Sequence, residues 1–176
     1  NFSGEQSYIL GKNNQALNTT DNTYVVGRNN IYEGTDAYIL GRSHSTVDGV
    51  DLYSVGRSNN LPGTDVYNLG YSNNLNGTNI ISVGILNTTD AASSHIYTFG
   101  RSNSLNGTNQ YAIGANKTLT ANANNTLVID PNNTSATVDS ENRIIIGATE
   151  NTNVGIGKTS AFYKLDVEGD INLNGN

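Results

Sequence analysis

The sequence predicts an all-β fold, a parallel β-roll or β-solenoid of about ten short coils, and three observations predict it. A four-residue signature (apolar, any residue, apolar, Gly) recurs along most of the chain. Its successive copies start 14 to 17 residues apart, the mark of stacked supersecondary units. Only 35% of the residues are hydrophobic and 14% charged, yet the apolar ones return in fixed phase, as an ordered stack requires and a disordered chain does not.

Residues 1–7 read as a polar lead-in, 8–150 as the repeats and 151–176 as a separate C-terminal β segment. The signature appears at Tyr8, Tyr24, Tyr38, Tyr53, Tyr67, Ile81, Tyr97 and Tyr111, with looser copies at Leu127 and Ile144. Apolar residues two apart imply a short strand with one buried face. The Gly that follows marks a bend or a positive φ. About five positions later comes a third apolar residue, as in Leu61, Leu75, Leu105 and Leu119, with Leu17, Ile31 and Val47 near the same place. Pro62-Gly63, Asn76-Gly77 and Asn106-Gly107 then turn the chain back. One coil is thus two short strands and two turns, and ten coils stack into a rod about 45–50 Å long.

Tyr53, Val55, Leu61, Tyr67, Leu69, Leu75, Tyr97, Phe99, Leu105, Tyr111 and Ile113 are expected to pack in the core or between the chains of a trimer. Three apolar residues per coil fill only a thin core, so burial from other chains is expected. The simplest such assembly is a homotrimer about the long axis. In the tail, Leu165 and Val167 alternate with Lys164 and Asp166, and Glu168-Gly169-Asp170 turns into Ile171 and Leu173, which reads as a small hairpin cap.

Composition excludes several classes. A net charge of -6 and a pI near 4.6 disfavour nucleic acid and anionic membrane as partners. The chain has no Cys, so disulfides, thiolate chemistry and Cys-based zinc sites are excluded. No apolar run is long enough for a membrane helix, and no signal-peptide pattern is present. The chain also has no Met and reads as a piece or processed product of something longer.

Two resemblances follow from these motifs. The signature coils resemble the head repeats of YadA-like trimeric autotransporter adhesins, which implies a left-handed parallel β-roll that exists as a trimer. Here Tyr stands at the first apolar position, and Leu where that family usually has Ala. The tail "NVGIGKTSAFYKLDVEGDI" is similar to a segment of bacteriophage tail fibres and tail-fibre-like bacterial surface proteins, with Lys158 and Ala161 at positions usually Thr and Pro. There the segment often precedes a C-terminal intramolecular chaperone, which this chain does not contain. The resemblances imply an extracellular fibre on a virion or bacterial surface.

Candidate functional residues fall into four groups. The Tyr column reads either as structural packing or as a row of platforms for sugar rings. Ile81, Leu127 and Ile144 at the same phase favour packing. A basic stripe follows the glycines, at Lys12, Arg28, Arg42, Arg57 and Arg101, while Asp36, Asp51 and Asp65 recur at the far ends of coils. Charge pairing between coils or between subunits is the preferred account, and a groove for an anionic glycan the alternative. Two coils carry the extended sequence LNTTD, so Asn18, Thr19, Thr20 and Asp21, and likewise Asn87, Thr88, Thr89 and Asp90, are expected in protruding loops suited to ligand binding. Tolerated insertion is the blander reading. His44 and His95 stand alone and are assigned structural or surface roles; no metal, cofactor or catalytic residue is expected.

The function expected is adhesive: a trimeric fibre region that attaches multivalently to a host or prey cell surface through a glycan or other receptor. A glycan-cleaving tailspike is the runner-up, disfavoured because no carboxylate pair stands out in the sequence. A purely structural shaft is the third reading.

Overall fold

The computed structural model describes residues 6–147, 154–156 and 165–167. Among these residues the fold is all-β, with parallel strands stacked as a β-solenoid of about nine turns. The long sheet runs from Tyr8–Lys12 through Tyr24–Arg28, Ile31–Arg42, Ser45–Arg57, Thr64–Tyr71, Thr78–Ile85, Ser94–Arg101, Thr108–Ala115 and Thr126–Asp130 to Ile144–Ile146. Each signature pairs in register with the next, so Tyr53 lies over Tyr67 and Gly56 over Gly70. A second sheet of short strands, from Asn74–Leu75 to Ala136–Val138, closes the opposite side. In the tail, Val154–Ile156 pairs in parallel with Leu165–Val167. The remainder of the expected hairpin, Glu168 to Leu173, lies outside the described residues.

The glycines bend the chain where adjacent coils come closest. Gly56 has φ +134°, and a Cβ there would stand 1.9 Å from the carbonyl oxygen of Gly70. Only glycine fits such an approach.

The strand alternation has the opposite sense from the one the apolar pattern suggests. Tyr53, Tyr67, Leu69, Phe99, Tyr111 and Ile113 are exposed, and Val55 and Tyr97 are half-buried, all on the outer face of the long sheet. The coil interior instead receives the residue before each Tyr and the residue after it. The first column includes Leu52, Val66, Ile80 and Ile96; the second runs Val25, Ile39, Ser54, Asn68, Ser82, Thr98, Ala112 and Val128. With a side-chain period of two, a one-residue change of phase exchanges the faces completely. Leu61, Leu75, Leu105 and Leu119 do point inward and are fully buried. In the earlier coils that column is taken by Ala16, Tyr32 and Thr46, half-buried, buried and buried, and not by Ile31, which is exposed; Leu17 is half-buried, and the Val47 side chain lies outside the described residues.

What makes a half-polar interior tolerable is a ladder of amides at the corner three residues past each glycine. Asn14, Asn30, Asn59, Asn73, Asn87 and Asn103 each donate Nδ2–H to the glycine carbonyl of the next coil, at 3.0 to 3.2 Å. Most also accept, through Oδ1, the backbone N–H of the next ladder residue, as Asn73 does from Asn87 at 2.9 Å. The same side chains satisfy the polar inner column: Asn73 donates to Asn68 at 2.8 Å, Asn87 to Ser82 at 3.3 Å and Asn103 to Thr98 at 3.3 Å. Buried polar groups are affordable only when bonded in this way.

Two rungs differ. His44 takes the Asn place and is buried; its Nε2 contacts the Gly56 carbonyl at 3.0 Å, so that nitrogen carries the hydrogen and Nδ1 accepts from Ser54 and Asn59 at 3.3 Å. Burial lowers its pKa from the usual 6.5, while bonds to the Gly56 and Leu40 backbones work the other way. At the far end Lys117 replaces Asn, and Asp130 replaces the glycine it would face. Their side chains form a fully buried ion pair at 2.8 Å, and Lys117 Nζ also donates to the carbonyls of Asn132 and Thr134 at 3.0 and 2.7 Å. Three acceptors around one ammonium compensate its desolvation.

Candidate functional site

The feature that folding alone does not explain is the outer face of the long sheet. Two apolar columns run its length: the Tyr column, and two residues further on Leu10, Val26, Leu40, Val55, Leu69, Val83, Phe99, Ile113, Ile129 and Ile146. Parallel register places each residue directly above its counterpart. The tyrosines stack as a ladder: ring centroids from Tyr8 through Tyr24, Tyr38 and Tyr53 to Tyr67 are 4.8 to 6.0 Å apart, and Tyr97 and Tyr111 are 4.9 Å apart. Stacking fixes the rings but leaves their outer edges uncovered; Tyr67 is 57% exposed and Leu69 52%. The face is therefore ordered, apolar and flat before anything binds it. Contiguous exposed apolar surface of this kind marks interaction sites.

The column has one break and one end. At Ile81 the missing ring leaves a hollow of about 190 Å³ lined by Asp65, Tyr67, Asn79, Ile81 and Tyr97. Beyond Tyr111, where Leu127 and Ile144 continue the column, a broader hollow of about 550 Å³ opens beside Asn109, Asn125 and Arg143.

The charged residues flank this face, and among the described residues no ion pair joins one row to the other. Lys12, Arg28, Arg42 and Arg57 stand in register one coil apart. Tyr71 continues the row, its ring 4.3 Å from the Arg57 guanidinium; Ile85 and Arg101 follow. Asp36, Asp51 and Asp65 turn out to be corner residues with φ of 53°, 52° and 54°. Asn22, Asn79, His95, Asn109, Asn125 and Asn142 hold the equivalent corners. Asp and Asn tolerate this left-handed conformation better than most residues, which accounts for their recurrence. Asp36 accepts a hydrogen bond from Asn22 at 2.9 Å. Among the described residues the ion pair that forms is Lys117–Asp130, and it involves neither row.

The extended LNTTD coils are partly built into the stack. Asn87 is a buried ladder residue, Thr89 is buried with its Oγ1 donating to the Asn76 carbonyl at 2.6 Å, and Thr20 is buried. Thr88 is half-buried in the short sheet. The extra residues of the second copy lie just beyond, at Asp90–Ser93, where exposed Asp90 accepts from Ala92 N–H and Ser93 Oγ at 3.1 and 2.8 Å and so caps the inserted turn. In the first copy the pairing with Ile31–Arg42 shifts register between Ala16 and Thr20, which places the insertion at Leu17–Thr19. Asp21 is exposed, and the side chains of Asn18 and Thr19 lie outside the described residues.

The ladder corner was missed by reasoning from apolar spacing, although its signal, Asn three residues after Gly, is plain in the repeats. Among the described residues no group of His, Asp and Glu converges to hold a metal ion, and no helix is long and apolar enough to cross a membrane. No family model, curated protein or solved structure matches the chain, so both resemblances rest on the sequence motifs alone.

Proposed function

We propose that this chain is the stacked-coil region of a trimeric adhesive fibre, in which three copies pack their apolar faces around a common axis and the rod attaches to a cell surface. The observation that supports it is the outer face itself. An ordered apolar strip along the whole long sheet, with Tyr8, Leu10, Tyr67 and Leu69 more than half exposed, is poorly suited to a lone chain in water. Packing three such strips removes them from water together, at about 25 cal/mol for each Å² of apolar surface covered.

In this reading the binding surface is what the trimer leaves outward. Each trimer presents three copies of any site, so weak contacts with a glycan or other surface receptor add up to firm attachment. The setting is extracellular, on a virion or a bacterial cell, and the work is binding without catalysis. Two measurements test it: sedimentation equilibrium, expected to give three times the chain mass, and a glycan array probed with the intact oligomer. A chain that stays monomeric at every concentration sinks the assembly; a trimer that retains no glycan and adheres to no cell sinks the adhesive role.

A further inference from the structure

We infer that the two margins of the outer face are complementary to one another, so that the basic margin of one copy docks on the acidic margin of the next. All copies then run in the same direction along the rod. This rests on the oligomer proposed above and specifies its contacts.

The margins occupy opposite ends of the same strands. Arg28, Arg42 and Arg57 lie four residues after the Tyr column, while Asp36, Asp51 and Asp65 lie two residues before it. Six residues separate the Asp from the Arg on one strand, about 20 Å of extended chain, beyond the reach of either side chain. Among the described residues no ion pair within one copy joins the two rows. Like charges stacked about 4.8 Å apart repel. A neighbouring copy of the same chain supplies the missing counter-charges.

Further along the stack both margins change character together. The basic row gives way to Tyr71 and Ile85, 39% and 43% exposed. On the opposite margin Asp65 gives way to Asn79, and the ring column drops to Ile81, leaving the 190 Å³ hollow between Tyr67 and Tyr97. Arg42 and Arg57 thus stand level with Asp36 and Asp51, Arg28 one coil before them, and the apolar residues level with the hollow to within one coil, while Lys12 and Arg101 have Gln6 and His95 at their corners. Rotation about the rod axis brings the two margins together at matching height. A copy reversed end to end would instead set the charged coils against the neutral corners Asn109, Asn125 and Asn142. A polyanionic glycan on the basic row is the competing occupant, but it accounts for neither the Asp row nor the hollow.

Four variants of the whole chain test this: Arg28→Glu/Arg42→Glu/Arg57→Glu; Asp36→Lys/Asp51→Lys/Asp65→Lys; the combination of all six; and Asp36→Asn/Asp51→Asn/Asp65→Asn. The last keeps the corner preference while removing charge. Circular dichroism confirms the fold of each, and sedimentation reads association. Each reversal is expected to weaken association about 100-fold or more, the Asn variant about tenfold, and the six-fold exchange to recover to within about tenfold of the parent. Association of the parent is expected to weaken as salt rises. If the reversals associate as tightly as the parent, or the exchange is no better than its halves, the inference is overturned. If the reversals instead lose only binding to dextran sulfate, the row is a polyanion site and the inference also falls. Should a Lys variant fail to fold, the Asn variant decides. A parent that never associates removes the trimer as well, whereas an associating parent indifferent to all four removes only the margin contacts.

Discussion

The amide corner and the apolar face belong to the same coils, yet they treat their repeated residue in opposite ways. At the corner each Asn is buried and used up: Asn73 bonds forward to Gly84 and Asn87, sideways to Asn68 and back to Asn59. On the face each Tyr touches its column neighbours and presents the rest of its ring to solvent. The corner is complete within one chain and the face is not. What this teaches is that a strong apolar period locates strands without saying which side the chain itself buries.

Four substitutions break or sharpen that contrast. The largest effect belongs to the corner's ionic rung: Lys117→Met leaves the Asp130 carboxylate buried without its counter-ion, although Oδ1 keeps the Asn132 N–H, and should cost about 3–5 kcal/mol in urea unfolding. Pairing Lys117→Asn with Asp130→Gly restores the ordinary rung and should return most of that loss; unfolding of Lys117→Met at the parent's midpoint would show the ion pair to be dispensable. Next, Asn73→Leu strands the Asn68 amide, the Gly84 carbonyl and the Asn87 N–H, and a loss of about 2–4 kcal/mol is expected. On the face, Leu69→Ser should change the chain's own stability by no more than about 0.5 kcal/mol but weaken association about tenfold, read by sedimentation. An equal loss in both readings would mean that the face belongs to the chain's own core after all.

The smallest effect is at His44. Its pKa is held below the ordinary 6.5 by burial, so the unfolded chain takes up a proton first as pH falls. The neutral ring's contribution is thus complete above pH 6.5 and is lost progressively below it. His44→Asn completes the ladder, adds about 0.5–1.5 kcal/mol and should flatten the decline of stability with acid. Parallel pH profiles for the two proteins would place the titration elsewhere.

The sequence made the architecture legible and left the phase unread, for physical reasons that particular residues show. The in-register signatures, the glycine bends and Leu61, Leu75 and Leu105 pointing inward follow from spacing. The inner column does not, because Ser54, Asn68, Ser82 and Thr98 look like surface residues unless a partner amide is known to meet them. Apolar pattern alone therefore points the Tyr column and the column two residues beyond it to a buried face, which is not the interior of the chain's own coils. Asp36, Asp51 and Asp65 look like a charge row in the sequence, while the property they share with Asn79, Asn109 and Asn125 is a tolerated positive φ. In the second LNTTD stretch odd length locates an insertion, yet Asn87 continues the ladder while the surplus sits at Asp90–Ser93; in the first the register shift falls within the stretch itself.

The glycine contacts and the corner amides join each coil only to its immediate neighbours. Length is therefore countable in whole coils: removing residues 57–70 would bring Gly56 to the position of Gly70, over Gly84, and shorten the needle by a single step of about 4.8 Å. A protein built this way can adjust its reach by gaining or losing whole units while every cross-section stays the same.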